Sequence, residues 1–185
     1  MILATTSHRP TRRVRSLCND LVLSIPGLVR VNRGKMSLLE VAERALQLGS
    51  NKFIVVDRWK GGPGRIRFFS TSNEVFREVP PRIYVSGVKL RREFNIPHEW
   101  IKGKINFLFL NVSGNVNPEI EKFSSSISEF FRLPVFEKSA EVMGYEAYMN
   151  ISTGEDCWVY MSFFLLPRRV EIGPCIKISH VVWDI

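Results

Sequence analysis

Arginine and lysine supply most of the chemistry available to this sequence. They gather in three clusters. Arg9, Arg12, Arg13 and Arg15 form the first, and Arg33 and Lys35, within Asn32-Arg33-Gly34-Lys35, the second. Arg58 and Lys60, within Asp57-Arg58-Trp59-Lys60, open the third, which Arg65 and Arg67 extend. A guanidinium is a planar fork that pairs two phosphate oxygens and can also stack on a base. Trp59 offers an indole on which an unpaired base could stack, a contact worth about 1–3 kcal/mol. Its alternative is to pack beneath its own loop, since tryptophans are highly buried on average. Gly61, Gly62 and Gly64 either let a backbone approach phosphate closely or make a plain hairpin turn.

Charge is unevenly placed. The net formal charge is +8, but residues 1–102 carry 19 Lys+Arg against 8 Asp+Glu, and residues 103–185 carry 7 against 10. A concentrated positive field attracts a polyanion and raises its encounter rate. Other chemistries lack their residues. A phosphate-binding loop needs G-x-x-x-x-G-K-S/T, and Arg33-Gly34-Lys35-Met36 has no glycine at the required offset. No G-x-G-x-x-G or G-x-S-x-G occurs. The histidines are His8, His98 and His180. His8 reads as a phosphate or solvent contact, His98 and His180 as structural. Nothing orients a Cys18–His8 pair as nucleophile and base. Asp20, Glu40 and Asp57 are too scattered for a metal-dependent nuclease. Cys18, Cys157 and Cys175 show no C-x-x-C spacing, so zinc and disulfide frameworks are set aside in favour of small buried hydrophobes. No catalytic residue, metal, cofactor or small-molecule substrate is expected.

The elements that would position the clusters follow from periodicity. Ile2 to Thr5 reads as a strand. Thr11 can cap a helix whose Val14, Leu17, Cys18, Leu21 and Val22 make one stripe, and Pro26-Gly27 ends it. Leu28 to Val31 is a second strand. Ser37-Leu38-Leu39-Glu40 fits a capping box, Leu38, Val41, Ala42, Ala45 and Leu48 form an inner face, and Gly49 is the stop. Phe53 to Val56 reads as a central parallel strand. Gly61 to Gly64 is a turn, Arg65 to Phe68 a strand, and Arg82 to Val85 and Lys89-Leu90 are weaker strand signals. Ile105 to Val112 is a strand. Pro118 sits near the start of a helix faced by Ile120, Phe123, Ile127, Phe130 and Phe131. Tyr145 to Ile151, Trp158 to Leu166 and Cys175 to Trp183 are strands, with a hairpin turn around Gly154. The chain therefore starts α/β and ends largely β, with no linker between the parts. All three basic clusters begin where a strand ends, and in an open α/β sheet such ends share one edge where ligands bind. Exposed helix N-termini there would add positive potential for phosphate. The longest apolar runs, Phe107 to Leu110 and Phe163 to Leu166, fall far short of the ~20 residues of a membrane helix. No secretory signal is read at Met1 to Arg9. A soluble, cytoplasmic protein that does not enter membranes is expected.

Three blocks carry a resemblance: Thr5-Thr6-Ser7-His8-Arg9-Pro10-Thr11-Arg12-Arg13-Val14-Arg15-Ser16, Val31-Asn32-Arg33-Gly34-Lys35-Met36-Ser37 and Val56-Asp57-Arg58-Trp59-Lys60-Gly61-Gly62-Pro63-Gly64. In this order they resemble archaeal members of the Brix family, those similar to the Brix subunit of the eukaryotic small-subunit processome. Residues 103–185 match mainly in the order and length of elements. The resemblance implies a single Brix domain over 1–185, with a basic half (1–102) and a strand-rich half (103–185). It implies an α/β (α+β) fold of two similar halves with mixed, joined sheets, resembling the anticodon-binding domain of class IIa aminoacyl-tRNA synthetases. It implies a non-catalytic ribosome biogenesis factor that binds ribosomal RNA precursors, with Arg12, Arg13, Arg33 and Lys35 as RNA contacts. Implied partners include small nucleolar-type ribonucleoproteins and other assembly factors. The family often shows Gly-Pro-Arg near its end, where this chain has Gly173-Pro174-Cys175. Two other readings share the charge: a tRNA-binding module of the anticodon-binding type, and a protein-only scaffold whose basic face meets an acidic partner.

Overall fold

The computed structural model describes residues 1–72, 75–100, 103–114, 116–136 and 144–185. Among these, the first part of the chain forms β1 (Ile2–Thr6), α1 (Arg12–Ser24), β2 (Leu28–Arg30), α2 (Leu38–Gln47), β3 (Lys52–Trp59), β4 (Gly62–Ser72) and β5 (Val75–Lys89). The second forms β6 (Leu108–Ser113), α3 (Pro118–Phe131), β7 (Ala147–Thr153), β8 (Val159–Leu165), β9 (Val170–Glu171) and β10 (Cys175–Val182). The strands join in one mixed sheet of order β2-β1-β3-β4-β5-β10-β8-β7-β6, with β9 pairing to β8 at the side. The chain is thus mixed α/β, with three α-helices among the described residues on a large sheet.

β1 lies parallel to both β2 and β3, and the chain then turns antiparallel through β4 and β5. The second part repeats this sequence of pairings. β6 and β7 are parallel, and β8 and β10 follow antiparallel. An isolated parallel bridge from Leu110 to Val135 stands on β6 where β2 stands on β1. β5 and β10 pair antiparallel and close the two series into one sheet.

Local chemistry explains the helices. The Thr11 side chain accepts the Val14 amide and starts α1, whose Val14, Leu17, Cys18 and Leu21 are buried as one stripe. At α2 the Ser37 hydroxyl accepts the Glu40 amide and the Glu40 carboxylate accepts the Ser37 amide. Asn117 caps α3, with Pro118 in its first turn. α1 and α3 lie over one continuous core with Ile54, Ile66, Ile83, Met161 and Ile176. Phe68 of β4 meets both Phe130 and Phe131 of α3, at 4.7 and 5.8 Å between ring centroids. α2 packs in a separate, smaller core with Leu3, Phe53, Val55 and Phe69. Alternation along β3 puts Ile54 and Val56 on one face of the sheet and Phe53 and Val55 on the other.

The structure revises several expected elements. β3 is parallel to β1 but antiparallel to β4, so the Phe53 to Val56 run sits where the sheet changes direction. The expected turn over Gly61 to Gly64 is narrower. Lys60 and Gly61 make it, with φ of +47° and +87°, and β4 already begins at Gly62. The two weak signals near Arg82 and Lys89 belong to one 15-residue strand. The Pro80-Pro81 pair that obscured it lies between the registers Phe68–Val79 and Ile66–Ile83, at an irregularity where a residue without an N–H does no harm. Ile105 and Phe107 precede β6, and Ile105 donates its amide to Leu23 beside α1 instead.

Candidate nucleic-acid interface

Parallel pairing sends the C-terminal ends of β1, β2 and β3 to the same edge of the sheet, with Ala4 opposite Arg30 and Thr6 opposite Val56. The segments that follow are bonded to one another. The Val31 amide donates to the Ala4 carbonyl at 2.9 Å and the Ser7 amide to Val56 at 3.0 Å. Thr5 Oγ1 donates to the Val31 carbonyl at 2.8 Å, and Ser7 Oγ accepts the Arg58 amide at 2.9 Å. His8 Nε2 lies 3.4 Å from Arg33 Nη2. One edge therefore carries loops from all three basic clusters.

The basic side chains at this edge fall into two groups. Arg9, Arg12, Arg15, Lys35, Arg58 and Lys60 are exposed, and none has an acidic partner among the described residues. Arg15 donates to the Pro10 carbonyl at 3.0 Å. Arg13, Arg65 and Arg67 are paired with carboxylates within the molecule. Arg13 pairs with Glu93 at 2.6 Å and also donates to the Val88 carbonyl. Arg65 and Arg67 converge on Asp57, at 2.8 and 2.6 Å, and Asp57 is 3% exposed. Glu78 accepts from Arg82 at 2.6 Å and lies 3.7 Å from Arg67.

Arg33 is 6% exposed and donates through Nε to the Met36 carbonyl at 2.5 Å. Burial, reinforced by the charge of Arg67, holds its pKa below the usual arginine value. It braces the loop from within, and Lys35 is the cation this loop shows to solvent. At α2 the expected contribution of a helix N-terminus is reduced. At α2 the Ser37 and Glu40 amides are already taken by the capping box, which also places a carboxylate there.

Trp59 is 51% exposed, so it does not pack under its loop. A Cβ at Gly64 would stand 2.3 Å from Trp59 Cβ, so this glycine makes room for the indole. The Arg65 guanidinium lies 5.7 Å from the indole centroid. The sequence reading missed Tyr84 and His180, which stack at 4.5 Å and 8° on the neighbouring strands. Tyr84 was hidden in a weak strand signal, and His180 is exposed where a structural role was expected. The side chain of His98 lies outside the described residues.

Cys18 is buried, donates to the Thr5 carbonyl at 3.6 Å, and is pushed up to about 11 by burial, which leaves it an unreactive thiol. Gly173 and Pro174 are buried, and Gly173 accepts from Ser24 Oγ, so the terminal Gly-Pro segment is interior structure. Among the described residues, no group of three or more His, Cys, Asp or Glu is placed to hold a metal ion. No helix of the described residues is long and apolar enough to cross a membrane.

No family model matches the chain. In sequence it is similar to a probable Brix domain-containing ribosomal biogenesis protein of Pyrococcus horikoshii, 39% identical over 93 residues, which is 50% of this chain and 41% of that protein. The protein of the same description from Thermococcus kodakarensis is 36% identical over 100 residues, 52% of this chain and 48% of the relative. The chain thus spans somewhat under half the length of these two relatives. A third, from Methanococcus maripaludis, is 28% identical over 97% of this chain and 96% of its own. Among solved structures, a probable ribosomal biogenesis protein from Aeropyrum pernix K1 superposes with a TM-score of 0.77 at 25% identity, covering 96% of this chain and 94% of that one. An archaeal Imp4-like protein shares the fold over 100% of both chains, with a TM-score of 0.65 at 23% identity.

Proposed function

We propose, from its similarity to archaeal Brix domain-containing ribosomal biogenesis proteins, that this chain is a Brix-type ribosome biogenesis factor that binds ribosomal RNA precursors without catalysing a reaction. One observation carries the RNA reading: the loops after three parallel strands are hydrogen-bonded to one another and present Arg9, Lys35, Arg58 and Lys60 on one edge. Arg12 and Arg15 of α1 extend the strip. These side chains neutralise phosphates, and the shape of the RNA matters more than its base sequence. Arg13, Arg33, Arg65 and Arg67 act from behind it, holding strands and loops in place. Trp59 adds a stacking surface at the end of β3.

In this reading residues 1–185 are one Brix domain of two similar halves, akin to the anticodon-binding domain of class IIa aminoacyl-tRNA synthetases. It works in the cytoplasm of an archaeal cell. The less basic half, 103–185, faces protein partners, among them assembly factors and ribonucleoproteins of the small nucleolar type.

Filter binding to ribosomal RNA fragments tests the proposal. With about five phosphate contacts, affinity falls roughly 10²- to 10³-fold between ~50 and ~200 mM salt. Reversing Arg58 and Lys60 together (R58E/K60E) abolishes binding at the higher salt and flattens the salt slope. Unchanged affinity in that variant overturns the basic-edge mechanism. Preference for tRNA over ribosomal RNA fragments in competition would favour the anticodon-binding module instead.

A further inference from the structure

The open face of the central sheet carries a feature the basic edge does not explain. In register, Asp57 of β3 stands opposite Arg65 of β4, Arg65 opposite Tyr84 of β5, and Tyr84 opposite His180 of β10. Directly opposed residues project to the same face of a sheet. This is the face away from α1 and α3, and over β4, β5 and β10 no helix of the described residues covers this row. The Trp59 indole, the Arg65 guanidinium, the Tyr84 phenol and the His180 imidazole therefore form a rank of planar groups, with 5.7 Å between the first two and 4.5 Å between the last two. The guanidinium groups of Arg82 and then Arg65 hold Tyr84 below the usual tyrosine range.

A stacked cross-strand pair can serve the sheet alone, for about 0.2–1 kcal/mol. This one also leaves a ring face open to solvent at His180. β8 pairs with β10 only as far as Ile178, so beyond it His180 has no strand on its outer side and is exposed. Trp59 is exposed at the other end. A cavity of about 500 Å³ opens beside the rank, lined by Trp59, Lys60, Tyr84 and His180 and, on its other side, by Arg13 of α1. Its volume is in the range of small-ligand sites. Its rim meets the basic edge at Lys60, which has no acidic partner among the described residues.

We propose that this rank is a stacking site for unpaired nucleobases, so that a single RNA strand leaves the basic edge and crosses the open sheet face from the end of β3 over β4 and β5 to β10. The inference rests on the RNA-binding reading above and adds a second surface to it. Phosphates stay on Arg58, Lys60 and their neighbours, while bases lie on the exposed π-faces of Trp59 and His180.

The test uses the full chain and a short, unstructured RNA strand, compared with the same strand made abasic at two central positions. Wild type binds the intact strand about tenfold more tightly per stacked base than the abasic one. His180→Ala and Gly64→Ala, the second displacing Trp59 without removing a cation, reduce that preference and keep the salt slope. His180→Phe restores it, which a purely structural histidine would not do. Wild type that binds both strands equally, with full salt dependence, overturns the stacking site and leaves the basic edge standing. Failure of every strand to bind overturns both.

Discussion

At the scale of single residues, the same side chain serves two ends, and a neighbouring carboxylate decides which. Arg58 faces solvent, while Arg65 and Arg67, a few residues on, are drawn to Asp57. Removing that carboxylate charge strands two half-buried guanidinium groups. Asp57→Asn is expected to cost about 2 kcal/mol or more of stability in urea denaturation. The same substitution frees positive charge beside the interface, so affinity for RNA at low salt is expected to rise. Stability and affinity moving together would contradict the internal role given to Arg65 and Arg67. Much at this scale was legible, because Trp59 and the exposed cations lie within short clustered segments. Arg33 was not, since nothing local announces that its guanidinium turns inward to Met36.

Secondary-structure elements fix where those residues stand. The α2 capping box is written in Ser37 and Glu40, and Ser37→Ala is expected to cost about 1 kcal/mol. Because its donors are satisfied within the helix, RNA affinity should not change; a clear loss of binding would instead make that N-terminus a phosphate site. A second tie joins the start of α1 to the turn after β5. The Arg13 guanidinium, then the Leu90 amide, hold the Glu93 carboxyl below the usual glutamate range. A carboxyl depressed in the folded state stabilises fully above its unfolded pKa and ceases to do so as pH falls through its folded value. Melting temperature should therefore drop less steeply on acidification in Glu93→Gln than in wild type, over the range below the ordinary glutamate pKa. Equal slopes would remove the tie. Helix stripes were readable because their period lies within each segment. β5 was not, because its continuity past Pro80-Pro81 depends on β4 and β10.

For the whole molecule, the seam between β5 and β10 and the core shared by α1 and α3 bind early and late parts of the chain together. Reading residues 1–185 as one domain predicts a single cooperative transition. Tryptophan fluorescence and near-UV circular dichroism should trace coincident curves in urea, and separated transitions would divide the domain. Phe68, which packs on Phe130 and Phe131, is the sharpest probe of this junction. Phe68→Ala is expected to cost about 3–5 kcal/mol and to shift both signals together.

By itself the sequence determined what depends on neighbours along the chain. The apolar stripes of the helices, the caps at Thr11 and Ser37, and the placement of each basic cluster just after a strand all rest on spacings of a few residues. From the last of these, parallel pairing was enough to forecast one common edge. Tertiary structure alone decided which cations remain exposed and which aromatic groups meet. Arg13 finds Glu93, and Tyr84 finds His180, only when distant strands come into register, and desolvation then turns some arginines into internal donors. Those pairings depend on distance in space, which folding creates and the order of residues does not display.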